Sequence, residues 1–179
     1  MTYNDINDFW FNQITPSQHW VKDKQFDLLV TERFSVIHRK ARLGELSPWR
    51  EEGEGRLAEI LILDQFSRNM FRDSAKSFAY DGQALVLAQE AINCGIDLKL
   101  PPSKRCFLYM PFMHSESLVI HKQALRLFNQ PGLEDNYDFE VAHYRIIERF
   151  GRYPHRNKIL GRTSTPLEIE FLAQPGSSF

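Results

Sequence analysis

The sequence predicts an all-α protein folded as a single domain over residues 1–179. Apolar residues recur three and four positions apart along nearly its whole length, the period of helices with one buried face. No stretch alternates apolar and polar residues as a half-buried strand would. Gly44 before Pro48, Gly95 before Pro101-Pro102, and Gly151 before Pro154 punctuate the periodic segments, as helix-closing glycines followed by prolines do.

Asp5 to Phe11 reads as a short first helix, and Pro16 begins an irregular link through Trp20. Asp23 caps the next helix, whose inward stripe is Phe26, Leu29, Val30, Ile37 and Ala41. Gly44 closes it, and Glu45 to Gly55 reads as a polar loop. From Arg56 to Phe66 the apolar residues cover almost the whole circumference, the mark of a central, buried helix. Ser74 to Cys94 reads as another helix, with Asp81-Gly82 as a second possible start. Ser103 to Tyr109 follows, and Pro111 is expected to kink or end it. Helix resumes near His114 and runs to Phe128. Asp138 to Phe150 places Phe139, Ala142, His143, Ile146, Ile147 and Phe150 inward, and Gly151 ends it. Thr165, Pro166 and Glu168 form the start of the last helix as a capping box with Pro at the first position. Residues 174–179 read as a frayed tail. The sum is about eight helices joined by links too short to separate domains.

The chain has 179 residues, 42% of them apolar and 13% aromatic, enough to bury roughly 70% of its unfolded surface in one core. The net charge of −1 gives the molecule no electrostatic reason to seek nucleic acid or acidic lipid. No apolar run is long enough to span a bilayer. Cys94 and Cys106 form no Cys-x-x-Cys pair and read as reduced thiols. With no cationic, apolar leader at Met1, the expectation is a soluble, cytoplasmic protein.

Three polar blocks interrupt this apolar, helical chain. In the first, Asp64 and Arg68 lie four apart at the end of the all-apolar segment, so they share a helix face. A carboxylate there must be paired. Either the pair is structural or Asp64 positions Arg68 to grip an anion. In the second, Tyr109 to Glu116, His114 and His121 stand two turns apart, a spacing weak for zinc in the absence of a third ligand. No metal site and no cofactor are expected.

The third block gathers Arg145, Arg149, Arg152, Arg156, Lys158 and Arg162 with only Glu148 among them. Arginine offers a planar fork matched to carboxylate or phosphate, and loops often carry binding residues. The alternatives are a solvated cationic face and pairing with the acids of Glu45 to Glu59. His143 sits on an apolar face and reads first as a core histidine. A glycine-rich phosphate loop, a Gly-x-Ser-x-Gly elbow and a His-Glu-x-x-His motif are all missing.

Together the blocks resemble a bacterial family of unknown function, domain-of-unknown-function family 924. The resemblance rests on Asp8 to Phe11, Asp64-Gln65-Phe66 with Arg68-Asn69, Tyr109 to Glu116, Arg149 to Arg152 with Pro154 to Asn157, and Leu160 to Thr165. It covers nearly the whole chain. Ser67 departs from it, where the resemblance leads one to expect Pro. The resemblance implies a tetratricopeptide-like helical packing and no assigned activity. It also implies a polar signature of Asp64, Arg68, Asn69, His114, Glu116, His143, Arg152, His155, Asn157 and Arg162.

Two functions are therefore weighed. One is a pocket for a small anionic ligand, held by Asp64, Arg68, Asn69, Glu116, His143, Arg152, Asn157 and Arg162, with Arg68, Arg152 and Arg162 as the gripping cations. In that reading His114 or His155 serves as acid or base if chemistry occurs. The other is a helical-repeat module that holds a protein segment in a concave groove, without catalysis.

Overall fold

A computed structural model describes residues 1–178, and these are helices joined by short turns with no β-strand among them. Helix α1 spans Tyr3–Asp8 and runs on as a π-helical turn, Phe9–Gln13. Helix α2 is Lys24–Arg42, capped by the Asp23 side chain, which accepts from the amides of Gln25 and Phe26. Helix α3 is Gly53–Leu61 and passes through a π-helical turn, Ile62–Phe66, into α4, Ser67–Met70. Helices α5, Asp81–Asn93, and α6, Pro102–Met113, follow. Then come α7, Leu118–Phe128, α8, Glu134–Phe150, and α9, Pro166–Leu172.

Every residue from Leu57 to Phe66 is buried, as the all-round apolar pattern predicts. Around this segment gather Ile6, Phe9 and Trp10 of the first helix and its π turn, Phe26, Val30 and Phe34 of α2, and Leu108 and Phe112 of α6. Gly55 lets α3 approach Trp49, whose carbonyl oxygen would collide with any Cβ at that position. A second, much smaller cluster of Ile146, Ile147 and Tyr153 lies toward the C-terminus, with Leu118, Phe150 and Phe171 packed on it. Gly151 closes α8 at φ +68°, donating its amide to Ile147 O. The expected capping box at Thr165, Pro166 and Glu168 is formed. No helix of the described residues is long and apolar enough to cross a membrane.

Several local expectations are corrected. Pro111 does not end its helix; α6 continues to Met113. The ring denies Phe107 O its usual amide partner, but residues 106 to 113 are all buried, and that packing holds the turn in helical form. His114 to Ser117 is a link, so α7 begins only at Leu118. Between Ser74 and Tyr80 the chain forms one 3-10 turn, Ala75–Phe78, and α5 starts at Asp81, the later of the two expected starts. The supposed loop after Glu45 contains a 3-10 turn, Ser47–Glu51. Leu29 and Phe139 face solvent. In α8 the inward position beside Phe139 belongs to Glu140, which is fully buried and pairs with His121. In the expected tail, Ser177 is buried and donates its hydroxyl to Leu172 O, while Phe179 lies outside the described residues.

Candidate functional site

The π turn at Ile62–Phe66 holds Asp64 and Gln65 inside the molecule along with their apolar neighbours. Such turns insert an extra residue into a helix and often mark functional positions. Asp64 Oδ1 accepts from His114 Nδ1 at 2.7 Å and faces Arg68 Nη1 at 3.1 Å. Its Oδ2 accepts from Gln65 Nε2 at 2.6 Å. Burial alone would raise this carboxyl, but Arg68, His114 and the hydrogen bonds hold it below the ordinary carboxylate range. Arg68 also donates to both oxygens of Asp81, each at 3.1 Å. Burial, and then the positive charge of Arg68, depress the basicity of His114. The ring is therefore neutral near pH 7, with its proton on Nδ1 toward the ionised Asp64 and a lone pair on Nε2.

A second network ties down the segment after α8. Arg162 donates to both oxygens of Glu116, at 2.6 and 2.9 Å, and through Nε to Asn157 Oδ1 at 2.9 Å. Glu116 also accepts from the Tyr153 amide at 2.8 Å, and Asn157 donates to Ser164 Oγ at 3.1 Å. Arg152 grips Glu168 with two bonds, at 2.6 and 2.8 Å, and donates to Thr163 O. That carboxylate simultaneously accepts from the Thr165 amide. The Tyr153 side chain is fully buried and donates its hydroxyl to Met113 O at 2.6 Å. The rings of His143 and His155 lie against it, with centroids 5.7 and 5.5 Å away. Burial lowers these histidines to about 3 and about 4 respectively, so both are neutral at physiological pH.

Between the two networks opens a cleft of about 330 Å³. Asp81, His114, Ser115, Glu116 and Arg156 form its polar wall, and Phe78, Leu85, Pro111 and Leu160 its apolar one. Arg156 is buried, with its guanidinium carbon 4.5 Å from the ring centroids of both Phe78 and Tyr153. Both distances are those of a cation–π contact. The edge is another matter. Nη1 reaches Asp81 Oδ2 only at 3.5 Å, and the buried Nε has no hydrogen-bond partner. Asp81 is already engaged by both arms of Arg68. Helix α5 begins at the same wall, and no side chain caps its N-terminus at Tyr80.

Of the residues singled out from sequence, Asp64, Arg68 and His114 meet directly, and Glu116, Asn157 and Arg162 meet in the adjoining network. His114 and Glu116 share the cleft wall. Arg152 stands one step outside, on Glu168. Asn69 turns away and donates to Asp27, which also holds Arg72. His143 donates from Nδ1 to Phe139 O, 2.7 Å away, within its own helix. The cationic block does not pair with the acids of Glu45 to Glu59; its partners are Asp81, Glu116 and Glu168. Sequence reasoning passed over Asp81, Phe78 and the special position of Arg156. The one available signal for Asp81 was its place at a possible helix start.

The comparisons agree with this picture of a whole-chain relationship. A solved structure, that of the protein of unknown function ATU0120 from Agrobacterium tumefaciens, is 41% identical in sequence and superposes with a TM-score of 0.90. The match covers 95% of this chain and 96% of that one. Among curated proteins no match was found. The sequence profile of DUF924, described as bacterial protein of unknown function, matches residues 6–176. The chain therefore belongs to the DUF924 family.

Proposed function

We propose that the cleft binds a small anionic ligand, a carboxylate or a phosphate, on the edge of Arg156. One observation carries this reading: a buried guanidinium set against two aromatic rings, whose Nε–H has no acceptor among the described residues and whose Nη1 reaches a carboxylate only at 3.5 Å. Donors left without partners in a dry setting are costly, and a planar fork suits a carboxylate or phosphate oxygen pair. The uncapped start of α5 adds backbone amides and the positive end of its dipole at the same wall. Arg68, Arg152 and Arg162, the cations expected to grip the ligand, are each committed to carboxylates and serve the site as its frame.

His114 stands on the same wall as a neutral acceptor. Its hydrogen bond to Asp64 fixes the ring and would stabilise the imidazolium formed if Nε2 took a proton from a ligand. His155, against Tyr153, is the weaker candidate for such a role. Both cysteines are free thiols, which supports a reducing, cytoplasmic setting.

Thermal unfolding with and without inorganic phosphate or acetate tests the reading. The parent gains several degrees at saturating anion, Arg156→Ala gains none, and Arg156→Lys gains less than the parent because it lacks the fork. No shift in the parent, or an equal shift in Arg156→Ala, overturns the proposal.

A further inference from the structure

The shape of the cleft says more about its occupant. Helices α5 and α6 run antiparallel along it. Arg105 in the first turn of α6, and Tyr109 one turn further on, bond to Asp97, just past the end of α5. At the other end, His114 and Asp81, the first residue of α5, are joined through Asp64 and Arg68. Asp81 and His114 thus form one rung of the cleft, beside Arg156. One helical turn away, roughly 5.4 Å, the same two helices present Leu85 and Pro111 to the same space. Charge gives way to hydrocarbon within a single turn.

Gly82, exposed to solvent, stands at the rim of this space. A Cβ built on it meets nothing within 4 Å. The volume of about 330 Å³ has room for roughly ten non-hydrogen atoms, taking ~30 Å³ for each water-sized group.

Resting on the anion reading above, we infer that the ligand is amphipathic: a carboxylate or phosphate head on Arg156, carrying a short hydrocarbon tail that lies over Leu85 and Pro111. A wholly polar anion would leave the second rung wet. A tailed one removes apolar surface from water on both sides. Recognition then combines a directional ionic contact with a non-directional apolar one, as small-molecule sites commonly do.

Isothermal titration of the protein with acetate, butanoate, hexanoate and octanoate, and with inorganic phosphate as a tail-less anion, tests this. Affinity is expected to rise about two- to fourfold per methylene as far as the apolar rung extends. Leu85→Gln, which puts an amide on the apolar rung, removes that rise while phosphate binding stays within about twofold. Leu85→Ala is a second variant, which shortens the apolar rung and weakens the rise without adding a polar group. Binding of phosphate and acetate with no dependence on tail length overturns the tail and leaves the anion site standing. A rise that persists unchanged in both variants places the tail elsewhere and also overturns it. Failure of every anion to bind removes both conclusions.

Discussion

The two ends of this molecule are held together by different physics. Through Leu133, one large apolar cluster surrounds the buried segment from Leu57 to Phe66. Beyond it, the apolar content shrinks to Ile146, Ile147, Tyr153 and a few half-buried neighbours. There the links are polar: ion pairs from Glu116 to Arg162 and from Glu168 to Arg152, and a hydrogen bond between His121 and Glu140. Apolar packing is non-directional and tolerates small shifts. Bidentate ion pairs fix position and orientation. The cleft lies where the two regimes meet, with α5 and α6 from the first and Arg156 from the second. A binding edge needs defined geometry, and the second regime supplies it.

Substitutions separate the two regimes. Phe66→Ala, in the fully buried segment, is expected to cost about 3–5 kcal/mol in urea unfolding, while anion affinity of the folded protein stays near the parent's. Glu116→Gln leaves half-buried Arg162 with a weaker acceptor and should cost about 1–3 kcal/mol. Its sharper signature is faster amide exchange between residues 151 and 165, with little change in α1 to α3. If exchange rises evenly over the whole chain, the two ends are not held separately.

Acid probes the same contrast more mildly. His38, which lies 2.8 Å from Ser67 Oγ, is lowered to about 4, by burial first and then by Arg42; His155 is likewise lowered to about 4, and His143 to about 3. The unfolded chain binds these protons near pH 6.5, so it binds more protons than the folded chain across the interval below. Stability should therefore be complete above about pH 6.5 and decline as pH falls toward 4. Each histidine contributes at most about 1.4 kcal/mol per pH unit. His38→Gln should flatten the slope of unfolding free energy against pH by up to that amount. An unchanged slope would mean that His38 binds its proton equally well in the folded and unfolded chains. Arg156→Ala has the smallest expected effect on stability, within about 1 kcal/mol, because the lost ring contacts are offset by removal of a poorly hydrogen-bonded buried cation.

Much of this was legible in the residues. Helical period, Asp23 as a cap, the Thr165 box and Gly151 as a terminator all depend on local chemistry, and all hold. Pro111 did not end its helix, because its penalty is local while the packing of its neighbours is not. Phe139 and Glu140 exchanged their expected places because His121, nineteen residues away in sequence, provides the buried partner. The polar blocks were visible as departures from an apolar pattern. Which arginine is open was not, since that depends on the carboxylates the fold brings to each. Arg68, Arg152 and Arg162 find two-point partners, whereas Arg156 shares an aspartate that is already engaged. Ser67 offers a similar lesson. Where the family resemblance suggested Pro, its hydroxyl bonds to Leu63 O and pairs with His38, an arrangement no ring could make.

Nitrogen-15 spectra of the arginine side chains, recorded as inorganic phosphate is added, address the anion edge without passing through stability. The Arg156 Nε–H signal should move and saturate while those of Arg68, Arg152 and Arg162 stay in place. A stationary Arg156, or all four moving together without saturation, would contradict a binding edge at this residue.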